Sequence, residues 1–173
     1  ETIVEGVSWR FDKVTGTLTI YGKGEMTDTS YLNSDEFGIE DIKIVVIEDG
    51  ITSICDYAFA GCVRITSVTI SNTVTKIGVE AFHGCGSLTN VTIPESVIII
   101  DEGAFFSCSS LTNIVIPDSV RSIGRSAFSD TAYFLNADNW ENDVLYRNNQ
   151  LICVRSLPSS DYSSKNGTIT LAD

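Results

Sequence analysis

A phrase of 23 residues recurs in this chain at a fixed interval, and that interval restricts the fold more than any other feature. Four stretches align without gaps, starting at Ile47, Ile70, Ile93 and Ile116. The second and third copies share ten of 23 positions. The repeated positions are mostly apolar. The columns read Ile47, Ile70, Ile93, Ile116; then Ile51, Val74, Val97, Val120; then Ile54, Ile77, Ile100, Ile123; then Phe59, Phe82, Phe105, Phe128; then Ile65, Leu88, Leu111, Phe134. A unit this short cannot bury its own apolar edge, so each copy must stack on the next, and the chain is expected to wind as a solenoid.

Within one copy, Leu88-x-x-Val91-x-Ile93 has the spacing of a leucine-rich repeat. Val91 and Ile93 alternate with Asn90 and Thr92, so a strand is predicted with Val91 and Ile93 inward and Asn90 and Thr92 outward. Strands of neighbouring copies are expected to pair into a parallel sheet. Pro94 and Pro117 follow the strand, where a missing N–H costs least. The Ala-Phe stretch upstream of the cysteine predicts a short helical turn on the opposite side.

An open solenoid end exposes core and needs a cap. Residues 6–22 supply one: Trp9 and Phe11, then Leu18 and Ile20, alternate with polar residues around a Thr15-Gly16 turn, which reads as a β-hairpin. Residues 23–41 are polar and irregular, and the first sheet strand starts in the stretch from Ile42. A second hairpin is expected near the far end, Val144–Tyr146 against Leu151–Val154 with Asn148-Asn149 at the turn, then a loop over 157–167. The closing "TITLAD" resembles the opening of another copy, so further coils are expected to follow it in a longer protein. The predicted division is residues 1–46 as N-terminal hairpin cap and acidic connecting segment, 47–138 as four repeats, and 139–173 as C-terminal hairpin and the start of a truncated repeat.

The 173 residues are 43% hydrophobic, enough for a packed core. No apolar run is long enough for a membrane-spanning helix. The N-terminus has no charged-then-apolar leader pattern, which leaves open a cytosolic protein or one whose signal peptide has been removed. The net charge is −12, and no run of Lys or Arg occurs, which argues against nucleic acid and anionic membranes as partners.

Cys62, Cys85 and Cys108 form one repeat column, with Thr131 in the fourth copy. Zinc sites want close cysteine pairs, absent here. Equivalent residues on stacked strands would lie about 4.8 Å apart, but with parallel Cβ vectors that suit a disulfide poorly. Packing as small hydrophobes is the favoured reading. The single histidine, His83, has no partner set for metal or catalysis and is read as a surface or packing residue. The carboxylate pairs Glu48-Asp49, Asp35-Glu36 and Asp101-Glu102 are adjacent in sequence and make poor acid–base couples. The stretch from Asp28 to Glu36 lacks the spacing of a calcium loop. No catalytic motif is found, no cofactor or metal is expected, and the chain is read as not an enzyme. Asn90-Val-Thr92 and Asn166-Gly-Thr168 match the glycosylation acceptor pattern.

What remains is surface. Ser67, Thr69, Asn90, Thr92, Asn113, Val115, Asn136 and Asp138 are predicted to point outward along the strands and form the candidate ligand-binding face. Trp, Tyr and Arg, the usual hot-spot residues, are absent from this set; Tyr31, Tyr57, Tyr133 and Trp140 are candidates at the edges.

The phrase "LTNVTIPESV", the Ala-Phe-x-x-Cys element, "GTLTIYGKGEM" at the front and "DVLYRNNQLICV" at the back together resemble the BspA-type leucine-rich repeat family. The resemblance spans nearly the whole chain. It implies a secreted or surface-attached protein of bacteria or some parasitic protists. It also implies adhesin-like binding of a protein or glycan, with extracellular matrix among the partners. A spacer or display stalk within a larger surface protein is the alternative.

Overall fold

A computed structural model describes residues 6–27, 29, 35, 37–141, 144–147, 150–154 and 169–170. Tyr31, most of the stretch from Asp28 to Glu36, the Asn148-Asn149 turn, the 157–167 loop, the Asn166 acceptor and the side chain of Trp140 lie outside the described residues. The strands in chain order are β1 (Val7–Asp12), β2 (Thr17–Gly22), β3 (Gly24–Glu25), β4 (Ile44–Ile47), β5 (Ile51–Ile54), β6 (Ser67–Ile70), β7 (Lys76–Ile77), β8 (Asn90–Thr92), β9 (Ile99–Ile100), β10 (Asn113–Val115) and β11 (Ser122–Ile123). Helix α1 (Ala132–Leu135), β12 (Trp140–Glu141), β13 (Val144–Arg147), β14 (Gln150–Val154) and β15 (Ile169–Thr170) follow.

The 23-residue period is one turn of a β-solenoid. Each coil has three sides, and on each side the backbone bonds to the coil above or below. The first side is the strand predicted from the sequence: β2 pairs parallel with β4, β4 with β6, and β8 with β10. β6 and β8 touch, but the ladder is interrupted between them. The second side was not anticipated. The V-x-x-I spacing forms a second parallel ladder, β3-β5-β7-β9-β11, in which Ile54, Ile77, Ile100 and Ile123 stay in register. Both apolar residues of the spacing point inward and the two between them are more exposed, so no period-2 alternation marks it.

The third side carries the Ala-Phe stretch. The expected turn is there, with Ala60 N–H to Tyr57 C=O at 3.1 Å and Cys62 N–H to Phe59 C=O at 3.2 Å. The alternate N–H groups point along the stack instead: Tyr57 to Val79 C=O (2.8 Å), Phe59 to Ala81 C=O (2.7 Å) and Gly61 to His83 C=O (2.7 Å). The next coils repeat this, as in Phe82 to Ala104 C=O and Phe105 to Ala127 C=O. Turning this tightly while bonding sideways requires two left-handed residues per coil. They form two columns: Tyr57, Glu80, Gly103 and Ser126, then Gly61, Gly84, Ser107 and Asp130, all at positive φ.

The core fills the coil. All of the aligned columns are buried except Phe134, which is half-buried. Phe59, Phe82, Phe105 and Phe128 stack with ring centroids 5.1, 5.2 and 5.5 Å apart. Cys62, Cys85 and Cys108 are free thiols with no exposure. The Cys85 thiol donates to Phe59 C=O at 3.3 Å and the Cys108 thiol to Phe82 C=O at 3.0 Å. Burial pushes the Cys62 thiol up to about 12, and hydrogen bonding with Cys108, then burial, raises Cys85. Such thiols stay protonated and unreactive, consistent with packing.

At the N-terminal end β1 and β2 form the hairpin, with Trp9 opposite Ile20 and Phe11 opposite Leu18. Asp12 closes its turn: its Oδ1 accepts from Val14 N–H at 2.8 Å, which with bonds to Thr15 holds the carboxyl below its usual range. Phe37 stacks on Phe11 (4.1 Å) and meets Trp9 edge-on (5.6 Å). At the far end β13 and β14 pair antiparallel. β15 also pairs antiparallel, with β11, unlike the parallel coil-to-coil ladders.

Candidate binding face

The outward face of the first sheet is built by alternation. In β6 and β8 the residues flanking the inward valine are exposed: Ser67 and Thr69, then Asn90 and Thr92. In β10 Asn113 is exposed, and Val115 is half-buried. Register then lines them up, Asn90 beside Asn113 and Thr92 beside Val115. An open depression on this face is bordered by Thr69, Asn72, Asn90, Thr92, Glu95 and Val115, at the interruption between β6 and β8.

Asn136 and Asp138 do not continue this row on a strand, contrary to the expectation. In the fourth copy the strand is replaced by α1 and a 3₁₀ turn over Ala137–Asn139. Thr131, which stands in the cysteine column, starts that helix, and the Ala-Tyr-Phe-Leu that follows replaces the Gly-Ser-Leu-Thr of the second copy. The Thr131 hydroxyl accepts from Phe134 N–H at 3.0 Å and caps α1, the task Ser and Thr perform at helix starts. Tyr133 is then buried, and its N–H bonds Leu111 C=O at 2.7 Å. Asn136 becomes the C-cap, exposed but off the ladder.

The face extends the other way, into the cap. β2 joins β4 in parallel, so Thr17 lies beside Ile44, which lies beside Ser67, and Thr19 beside Val46, which lies beside Thr69. Arg10 and Tyr21 share that outward side. The Arg10 guanidinium lies over the Tyr21 ring, 5.0 Å from its centroid, and reaches Glu48 with a 2.5 Å ion pair. The pair spans β1 to the end of β4 across β2, and Thr19 beneath is only 7% exposed. An Arg and a Tyr therefore do stand on the sheet that carries the Ser-Asn-Thr row. The alternations Trp9-Arg10-Phe11 and Ile20-Tyr21 put both residues outward; only the non-local pairing of β2 with β4 puts them on this sheet.

Other candidates resolve into structural contacts. The His83 ring accepts or donates at Nδ1 to Glu80 Oε2 at 2.7 Å and meets Phe106 edge-on at 5.3 Å. Asp101 pairs with Lys76 at 2.8 Å, and this hydrogen bond, helped by the nearby charges of Asp101, Asp56 and Glu25, raises the lysine against the opposing effect of burial. Among the described residues, no group of three or more His, Cys, Asp or Glu is placed to hold a metal ion. No described helix is long and apolar enough to cross a membrane. Tyr57 is half-exposed on the turn side, away from the face, and Tyr133 is buried.

Comparison with known proteins agrees with this geometry. Residues 30–146 match the BspA type leucine rich repeat region in six copies. No curated protein matches the chain. Among solved structures, a leucine-rich repeat protein from Bacteroides ovatus is 29% identical with a TM-score of 0.53, covering 66% of this chain and 30% of its own. The T. pallidum leucine rich repeat protein is 26% identical with a TM-score of 0.58, covering 73% of this chain and 65% of its own. The chain thus spans less than two thirds of the length of either.

Proposed function

Because the chain belongs to the BspA-type leucine-rich repeat family, we propose that it is a non-catalytic binding module of a secreted or cell-surface protein. It recognises a protein or glycan through the outward face of the first sheet, in the manner of an adhesin. The observation that carries this reading is the shared outward side of that face. Exposed Ser67 and Thr69 run through β4 and β2 into Arg10, Tyr21 and Glu48, and Asn90, Thr92 and Asn113 continue the side at coil spacing beyond the break between β6 and β8. Interfaces draw most of their affinity from a few Tyr, Trp and Arg anchors, with polar contacts around them supplying fit. A frame bonded on three sides orders its side chains before the ligand arrives, which lowers the entropic cost of binding.

The test is biolayer interferometry against a panel of matrix proteins and glycans. Three variants run beside wild type: Asn90, Thr92 and Asn113 all changed to Lys, the same three changed to Glu, and Tyr21→Ala. Saturable binding by wild type that weakens about tenfold or more in all three is expected, tenfold corresponding to about 1.4 kcal/mol. Loss in both charge versions reports occlusion of the face, independent of the ligand's charge. Binding unchanged in all three variants refutes the face. Wild type that binds nothing in the panel favours a spacer role.

A further inference from the structure

The eleven cations of the chain are scattered in sequence, yet the fold gathers three of them. Lys13 sits in the hairpin turn, Lys43 just before β4 and Arg64 just before β6, and all three are exposed. They line one depression of about 200 Å³ with Phe11, Glu40 and Asp41. Backbone bonds bring them together: Lys43 N–H donates to Gly16 C=O at 2.9 Å, and Thr66 N–H to Lys43 C=O at 2.8 Å. Gly16, at φ +70°, lies under the lysine stem; a Cβ there would meet Asp41 O at 2.8 Å and Lys43 Cδ at 3.1 Å.

Arg10–Glu48, Lys76–Asp101 and His83–Glu80 are ion pairs of the described residues. None of them uses Lys13, Lys43 or Arg64. The two carboxylates of the depression are turned to their own loop. Asp41 Oδ2 accepts Gly38 N–H at 3.0 Å, and the Glu40 carboxylate lies over Gly38, where an added Cβ would come within 2.5 Å of it. Asp12, next to Lys13, is likewise turned to its own hairpin, its Oδ1 accepting from Val14 N–H at 2.8 Å, and carboxylates more than about 8 Å away are screened at physiological salt.

We infer that the Lys13–Lys43–Arg64 rim binds the anionic group of an acidic sugar residue, a uronate or a sulfated saccharide. This rests on the binding-face reading and names its ligand class. The rim adjoins the Thr17–Ile44–Ser67 row, since Lys13 follows Asp12, Lys43 precedes Ile44 and Arg64 lies three residues before Ser67. A saccharide lying along the Ser-Asn-Thr row would place its acidic substituent there. The lining favours a sugar over a simple polyanion. Three cations outnumber the two carboxylates, whose lone pairs not used by their own loop can accept from neighbouring hydroxyls, and Phe11 offers a wall to C–H groups. An acidic peptide can offer those acceptors only its backbone N–H groups, whereas a sugar ring carries hydroxyls beside its acidic substituent.

The experiment uses a biotinylated chondroitin sulfate hexasaccharide, with neutral N-acetylchitohexaose and hexaglutamate as comparison probes. The full chain is tested as wild type, as Lys13→Gln/Lys43→Gln/Arg64→Gln and as Tyr21→Ala, each with its thermal unfolding midpoint measured. Wild type is expected to bind the sulfated probe more tightly than hexaglutamate. The triple Gln variant is expected to bind it about tenfold or more weakly with its midpoint unchanged, since charge-assisted bonds are the strong ones. Binding within twofold of wild type in the triple variant overturns the inference, as does hexaglutamate binding equal to the glycan. Binding of the neutral glycan that is lost only in Tyr21→Ala overturns the rim while leaving the face reading standing. Wild type that binds none of the three probes overturns the rim too, and the matrix panel then decides the face independently.

Discussion

Removing one ring from the phenylalanine column tests whether coils are held by their neighbours on both sides. Phe82 has no exposure and stacks between Phe59 and Phe105 at 5.1 and 5.2 Å. Phe128 is 3% exposed and, among the described residues, stacks on Phe105 alone at 5.5 Å. Phe→Ala in a core costs about 3–5 kcal/mol through lost transfer energy and cavity, and each aromatic pair adds about 0.5–1.5 kcal/mol. Phe82→Ala loses two pairs and Phe128→Ala loses one. Phe82→Ala is therefore expected to cost about 1 kcal/mol more, near the top of the core range. Urea unfolding followed by circular dichroism, extrapolated to water, reads the difference. Equal costs, or a larger cost at Phe128, would refute the stacked-coil reasoning.

Three further outcomes follow from individual residues. Gly103→Ala places a side chain at φ +61° and a Cβ 2.9 Å from Glu80 Cγ, so a loss of about 1 kcal/mol or more is expected, read as a drop of a few degrees in the unfolding midpoint; no change would show the left-handed column to be dispensable. Asp12 is held below its usual 3.8 chiefly by the Val14 N–H, so its contribution is present above pH 3.8 and fades as pH falls through the lower folded value. The midpoint difference between wild type and Asp12→Ala should shrink over that window, and a difference constant from pH 6 to 2 would contradict the turn geometry. Cys62, Cys85 and Cys108 should resist iodoacetamide at pH 8 in the native chain and react in urea, as mapped by peptide mass spectrometry; native labelling of Cys85 would contradict its burial.

Much of this architecture was legible because apolar columns report stacking directly. Ile51, Val74, Val97 and Val120 could not all be core unless successive copies lay one upon another, and all are buried. The hairpin was legible from Trp9, Phe11, Leu18 and Ile20, which alternate with polar residues on both strands. The second ladder was hidden because its inward residues, such as Ile51 and Ile54, are three apart. The helix that removes Asn136 from the ladder begins at Thr131, whose hydroxyl caps a helix where a thiol only packs, and runs through residues 132–135, which also differ from the other copies. Arg10 and Tyr21 were missed for a different reason: which sheet a hairpin joins is settled by packing of distant segments, here β2 on β4. The gathering of Lys13, Lys43 and Arg64, about 20 to 30 residues apart in sequence, is likewise a product of winding.

The binding-face account stands on one geometric claim, that equivalent residues of successive repeats project side by side from the same surface. Nitroxide labels on Asn90→Cys and Asn113→Cys, in a chain with Cys55 and Cys153 changed to Ser, test it by electron paramagnetic resonance. The two positions are register partners on adjacent parallel strands, about 4.8 Å apart. The account predicts strong dipolar and exchange broadening in the doubly labelled chain relative to the singly labelled ones. A double-label spectrum equal to the sum of the single-label spectra would contradict it.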